Sequence, residues 1–247
     1  MRSKTSHTER IIPAETPAGI VALHLKRYQF ALEHITGHFV LDVACGAGYG
    51  ASYLAESGIH VIGADIDRQA LSYAKKHYCG PKNLTFIQAD GMRAAFADCQ
   101  FDAICSFETI EHLADVHLFL REIKRMLIPG GIFIISTPRV LHSNLHPTNP
   151  YHYREWSPAD FKGLLCSYFK SVELFGQYHR VTRTTRLLKR LDIFSLRKWL
   201  FPLWLTRWAA HVLGVRTMAD LELEDVLIRR GDLHRANEIV AIACDEN

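Results

Sequence analysis

A doubly wound α/β chain, with a mostly parallel seven-stranded sheet and a helical insertion before the last strand, is predicted by three observations. Short apolar runs alternate with helix-like segments from about residue 17 to residue 136. The joins between them are short and punctuated. Helices of this length between strands make βαβ units, which force parallel pairing and a sheet covered on both faces.

The elements follow in order. Ala18 to Glu33 reads as a helix, with Ile20, Leu23, Leu25 and Tyr28 at helical spacing. His38 to Ala44 is a short apolar run before glycines, hence a buried strand. Ala51 to Ser57 suits a helix and His60 to Ala64 a second strand. Arg68 to His77 is helical, Leu84 to Gln88 a third strand and Phe101 to Phe107 a fourth. His112 to Met126 is a helix and Ile132 to Ser136 a fifth strand. Beyond these, Pro158 to Leu165 is a helix, Ser171 to Phe175 a strand, and Ala236 to Cys244 the last strand. Residues 1–178 and 236–247 then make the main domain. Residues 179–235 read as a helical cap, because so long a structureless loop is improbable in a compact domain.

Composition narrows the function classes. Apolar residues make up 48% and charged residues 22% of the 247, which excludes a disordered tail, a fibrous repeat and a disulfide scaffold. No apolar run approaches the roughly 18 to 20 residues that cross a bilayer, and the polar first ten residues do not read as a signal peptide. The six cysteines are scattered without zinc-type spacing, so a reducing cytoplasm is expected. A net charge of +3 is too small to imply nucleic acid.

Asp42-Val-Ala-Cys-Gly-Ala-Gly-Tyr-Gly50 follows the first strand directly. Gly46 and Gly48 remove Cβ atoms that would keep a ligand from the backbone. Asp65, at the end of the second strand, places a carboxylate where a ribose diol can be held. It could instead cap the next helix, a role Asp67 would fill equally well. Asp90-Gly91-Met92 follows the third strand, where an adenine edge would fall.

The order VLDVACGAGYG, GADID, QADGM, FDAICSFETIEHL and MLIPGGIFIISTP resembles the class I S-adenosylmethionine-dependent methyltransferases over about residues 25 to 137. The resemblance implies a Rossmann-like methyltransferase fold and S-adenosylmethionine as cofactor. The cofactor residues it implies are Tyr28, Asp42, Ala44, Gly46, Gly48, Asp65, Ile66, Asp90, Gly91, Met92 and Phe107. Ala44 departs from the family, which has its first glycine there; alanine is small enough for the loop to survive. A dehydrogenase is disfavoured, since the glycine spacing is wrong for a pyrophosphate.

Phe107-Glu-Thr-Ile-Glu-His-Leu113 leaves the fourth strand at its C-terminal edge. A helix starting near Glu108 would put Glu108, Glu111 and His112 on one face. Two carboxylates and an imidazole converging there call for a cation, and such oxygen-rich ligands suit Mg²⁺ or Mn²⁺. His152, in Asn149-Pro-Tyr-His-Tyr-Arg-Glu-Trp156, is a fourth candidate ligand. The pattern resembles the metal-dependent small-RNA 3′-terminal 2′-O-methyltransferases and the ubiquinone-pathway O-methyltransferases, whose metal holds vicinal oxygens beside the sulfonium. The same E-H-L occurs in class I methyltransferases that use no metal, where the histidine is a base or lines the pocket. Both readings stand at this stage, with His112, His152 and Glu111 as catalytic candidates. His142 and His146 are expected to face solvent, and Arg154 to pair with Glu155.

Between His179 and Leu200 seven basic residues (Arg180, Arg183, Arg186, Lys189, Arg190, Arg197 and Lys198) meet one acid, Asp192, before an aromatic run from Trp199 to Trp208. A cap packed by its aromatic face, a peripheral contact of 180–208 with anionic lipid at the inner membrane face, and an RNA backbone track are the three readings. The expected activity is O-methylation. RYQFA, ACGAGYG, FETIEHL and NPYHYRE resemble bacterial enzymes of glycan and specialised small-molecule pathways, so a hydroxylated small molecule or glycan is the first acceptor. A quinone precursor comes second and an RNA 3′ end third, nucleic acid being disfavoured. A cofactor-binding regulatory module without catalysis is the alternative from another class.

Overall fold

The computed structural model describes residues 10–179 and 218–245. One sheet carries β1 (Phe39–Val43), β2 (His60–Asp65), β3 (Leu84–Gln88), β4 (Phe101–Phe107), β5 (Leu127–Pro138), β6 (Ser171–His179), β7 (Val226–Arg229) and β8 (Glu238–Cys244). Their order is β3-β2-β1-β4-β5-β8-β6-β7, parallel from β3 to β5 and antiparallel from there to β7. The helices are α1 (Ala18–Leu32), α2 (Tyr49–Ala55), α3 (Arg68–His77), α4 (Val116–Met126) and α5 (Pro158–Cys166). This is the expected doubly wound architecture.

Alternation along the strands builds two cores. Val40, Ala103 and Ile134 face one side with Phe30, Leu54 and Leu71 from α1, α2 and α3. Their neighbours Leu41, Ile104 and Phe133 face the other, against Phe119, Leu120 and Ile123 of α4 and Phe161 of α5. A central strand buried on both faces reads as a continuous apolar run, which is why it was recognisable.

Three details differ from expectation. An eighth strand, β7, lies inside the segment read as a helical insertion and pairs with β6 from Gly176↔Arg229 to His179↔Val226. Four residues are too few for periodicity to separate strand from helix, and the open edge of β6 decides it. Second, β5 extends back to Leu127, with a register irregularity opposite Phe101 and Ala103 that absorbs the Pro129-Gly130-Gly131 turn residues. Third, α4 starts only at Val116, where the Asp115 side chain accepts a hydrogen bond from the Leu118 N–H; Ile110–His112 is a separate 3₁₀ turn. Residues 180–217 of the expected insertion, with the basic and aromatic stretch 180–208, lie outside the described residues.

The parallel half reverses its winding between β1 and β4, so their C-terminal ends open a crevice where doubly wound sheets bind ligands. Because β8 is antiparallel, its first residue, Glu238, sits at that same edge, opposite Pro138 and Gln177. Among the described residues, no helix is long and apolar enough to cross a membrane.

Candidate active site

The loop after β1 is left-handed at three positions, Ala44 (φ 59°), Gly46 (φ 56°) and Gly48 (φ 82°). Gly48 is required twice over, since a Cβ there would also lie 2.6 Å from the Ala74 Cβ and 2.7 Å from the Phe86 ring. At Gly46 a Cβ would meet only the Arg10 Cγ, at 4.0 Å, so the backbone there faces open space. Ala44 adopts a conformation that costs a non-glycine residue about 1–2 kcal/mol. Its exposed side chain meets no crowding, and the loop survives.

Asp65 closes the loop from β2. Its Oδ2 accepts the Gly46 N–H at 2.8 Å and its Oδ1 the Asp67 N–H at 2.8 Å. The capping role falls to Asp67, whose carboxylate accepts the Gln69 and Ala70 N–H groups and pairs with Arg10 at 2.7 Å. Asp65 is therefore not the helix cap. A carboxylate has about four acceptor sites, so two remain for a ligand.

Asp42 is buried beside Tyr28, whose hydroxyl donates to it at 3.2 Å. Burial, with a smaller contribution from the charge of Asp65, pushes the Asp42 carboxyl up to about 8, against the opposing Tyr28 hydrogen bond. The Tyr28 ring stands edge-on to Phe107, with centroids 4.8 Å apart. After β3, Asp90 accepts the Met92 N–H at 2.9 Å and so shapes its own turn. Gly91 lies against Val43 and Phe119, and Met92 packs on the core. Ile66, beyond Asp65, is 64% exposed and offers a bare apolar surface at the same edge.

At the end of β4 the expected single helical face does not form. Glu108 is itself left-handed (φ 51°), and its carboxylate is not among the ligand atoms that Glu111, His112 and His152 bring together. Its N–H donates to Ser136, its Oε1 accepts the Ser136 hydroxyl at 2.7 Å, and Arg27 Nη1 stands 3.6 Å away. Arg27 is 2% exposed and also donates from Nε to Gln177 at 2.9 Å. Burial works against its charge, yet Glu108, Glu238 and Glu111 hold it as a cation. Burial first, then the Glu108 charge, pushes the Glu238 carboxyl up to about 8.

Three of the four expected metal ligands do converge. Glu111, His112 and His152 each bring one ligand atom to within 4.8 Å of the other two. The Tyr153 N–H donates to the Glu111 carbonyl at 2.7 Å, which ties the 149–155 loop to the 3₁₀ turn. Glu111 is fully buried and its Oε2 accepts from Thr137 at 3.0 Å; burial and then the Glu108 charge raise its carboxyl well above the usual range. His112 Nδ1 contacts the Tyr151 carbonyl at 3.2 Å. A carbonyl only accepts, so Nδ1 carries the proton and Nε2 faces Glu111 Oε1, 4.0 Å away. His152 repeats the pattern, with Nδ1 2.7 Å from Glu155 Oε1 and Nε2 3.0 Å from the Asn149 amide. Glu155 thus pairs with His152, not with Arg154 as its position next to that residue suggested. His142 and His146 are exposed, as expected.

Sequence reasoning missed Arg10, Glu238 and Gln177. Each reaches the site from a distant part of the chain: Arg10 lies 57 residues from Asp67, and Gln177 lies 150 residues from Arg27. No local pattern announces such partners.

Residues 41–135 match the family described as a methyltransferase domain. Over 156 residues the chain is 33% identical to a Mycolicibacterium smegmatis protein named "Probable S-adenosylmethionine-dependent methyltransferase", a match covering 62% of this chain and 60% of that relative. It is 32% identical over 118 residues to the "Ubiquinone biosynthesis O-methyltransferase" of Chelativorans sp., covering 47% of each. In fold it is similar to the crystal structure of the YcgJ protein from Bacillus subtilis, with TM-score 0.58, 16% identity, and coverage of 90% of this chain and 98% of that one.

Proposed function

We propose that the chain is a class I S-adenosylmethionine-dependent methyltransferase that transfers a methyl group from S-adenosylmethionine to a hydroxyl of a small-molecule or glycan acceptor, a reading supported by the family match over residues 41–135 and the relatives named above. The observation that supports the choice of oxygen is the pair of imidazoles gathered with Glu111: His112 has its protonated Nδ1 on the Tyr151 carbonyl and its Nε2 4.0 Å from Glu111 Oε1, and the ligand atom of His152 lies within 4.8 Å of the other two.

The residues fit the cofactor. The open backbone at Gly46 admits the methionine portion, Asp65 keeps two acceptor sites for the ribose hydroxyls, and Ile66 supplies an apolar face for adenine. Tyr28 and Phe107 wall the crevice and exclude water from the electrophilic methyl. In the displacement the acceptor oxygen forms a bond to the methyl carbon while the carbon–sulfur bond breaks, and the electron pair stays on sulfur as a thioether. The hydroxyl proton must leave, because an alcohol is a poor nucleophile near neutrality. His112 Nε2 is the acceptor nitrogen positioned for it; His152 Nε2 would first have to release the Asn149 amide.

The same three side chains fit a divalent cation. Pinning Nδ1 to a carbonyl or carboxylate is the outer-shell arrangement that orients metal-bound histidines. Glu111, His112 and His152 would hold the ion, and a bound ion supplies a lowered pKa to a coordinated hydroxyl. Purified protein should form S-adenosylhomocysteine from S-adenosylmethionine with one member of a panel of glycans, catechols and an RNA oligonucleotide bearing a free 3′ end. Chelation followed by Mn²⁺ add-back separates the two deprotonation routes. S-adenosylhomocysteine binding with no turnover across that panel and a cell extract would leave a cofactor-binding module instead.

A further inference from the structure

We infer that any metal set in this chain stops at three protein ligands, Glu111, His112 and His152, because Ser136 and Arg27 hold Glu108 apart from them. This rests on the metal-assisted form of the reading above and deepens it. Spacing alone would enlist Glu108, since it lies three residues before Glu111. The fold assigns it elsewhere. Its left-handed backbone turns it toward β5 and α1, where the Ser136 hydroxyl, the Arg27 guanidinium and the Glu238 carboxyl surround it.

Moving Glu108 onto a metal would take from Arg27, which is completely buried, the carboxylate 3.6 Å from its Nη1; its side-chain hydrogen bonds otherwise go to a neutral amide, Gln177, and an imidazole, His24. Withdrawing one partner from a buried ion pair is destabilising. Arg27 is therefore a positioning residue that sets the ligand count by retaining Glu108.

Two consequences follow. One carboxylate and two imidazoles form a nitrogen-rich set that favours Mn²⁺ or Co²⁺ over Mg²⁺, unlike the oxygen-rich set expected from E-x-x-E-H. Three protein ligands also leave coordination positions for two oxygens of one acceptor, the chemistry of a vicinal diol or catechol.

The test is Mn²⁺ binding by the chelator-stripped full chain, read from the electron paramagnetic resonance of free Mn²⁺ and needing no acceptor. Glu108→Gln should bind within about threefold of the unsubstituted protein. Glu111→Gln and His152→Ala should each weaken binding roughly tenfold or more, by the scale of lost ligand-sphere contacts. Mg²⁺ should displace Mn²⁺ only at large excess. If Glu108→Gln folds poorly, Glu108→Asp provides the comparison, since it keeps the charge near Arg27 but shortens its reach. A loss in the Glu108 variants equal to that of Glu111→Gln overturns the three-ligand assignment while leaving the metal reading intact. Absence of Mn²⁺ binding by the unsubstituted protein at millimolar concentration overturns both.

Discussion

Gly50→Ala isolates the contact that seats Tyr28 against α2. A Cβ at position 50 would lie 1.9 Å from Tyr28 Cζ and 2.2 and 2.4 Å from the flanking ring carbons. Carbon atoms rest about 3.5–4 Å apart, so the ring must retreat by roughly 1.5–2 Å. Such a shift strains the surrounding core by about 1–3 kcal/mol. It also loosens the hydroxyl bond to Asp42, worth about 1–2 kcal/mol. Alanine returns about 1 kcal/mol of helix propensity in α2, leaving a net loss of about 1–4 kcal/mol. For a chain of this size that lowers the Tm by roughly 2–16 °C.

The decisive comparison is the same substitution in a Tyr28→Leu background, where the clashing ring carbons are gone. There Gly50→Ala should stabilise by about 0.5–1 kcal/mol, the helix term alone. Urea unfolding of the four proteins measures both steps. Equal destabilisation in the two backgrounds, or none in the first, would refute the steric account. Calorimetric titration with S-adenosylhomocysteine should show the single variant binding more weakly, because its displaced ring no longer walls the crevice.

Four further outcomes are expected. Ala44→Gly relieves the left-handed strain at φ 59° and should raise stability by about 0.5–1 kcal/mol, partly offset by the greater freedom of the unfolded chain; an unchanged or lower urea midpoint contradicts it. Asp65→Ala should weaken S-adenosylhomocysteine binding about 10- to 100-fold, the scale of lost charged hydrogen bonds, and wild-type affinity in calorimetry would count against its role. His152→Ala should lower turnover by roughly 10²–10⁴ with cofactor affinity retained; a combined loss of both would mean that the loop, not the base, was damaged. For pH, the folded protein holds the Asp42 proton to about 8 whereas the unfolded chain releases it near 3.8. The stability this confers is complete below about pH 4 and drains as pH rises to about 8. Asp42→Asn should therefore gain stability relative to wild type across that window and run parallel above it; a flat difference from pH 4 to 8 would be incompatible with a buried, protonated Asp42.

The amino-acid sequence by itself determined the elements whose signal is local. Central strands buried on both faces show as mostly apolar runs such as FVLDV and FDAICSF, and the loop after the first of them is built from small residues because its backbone is left-handed at Ala44, Gly46 and Gly48. Asp65 and Asp67 were both legible as carboxylates near a helix start, and tertiary contacts with Gly46 and Arg10 assigned each its task. Tertiary structure alone decided the fate of Glu108. Its place in E-x-x-E-H put it with Glu111 and His112, but Asp115 delays the helix and a left-handed residue turns the chain toward Arg27 and Glu238. The β7 edge strand and the Glu155–His152 pair were likewise settled by neighbours brought close in space. Periodicity records which face of an element is buried; it holds no record of which buried charge will be waiting there.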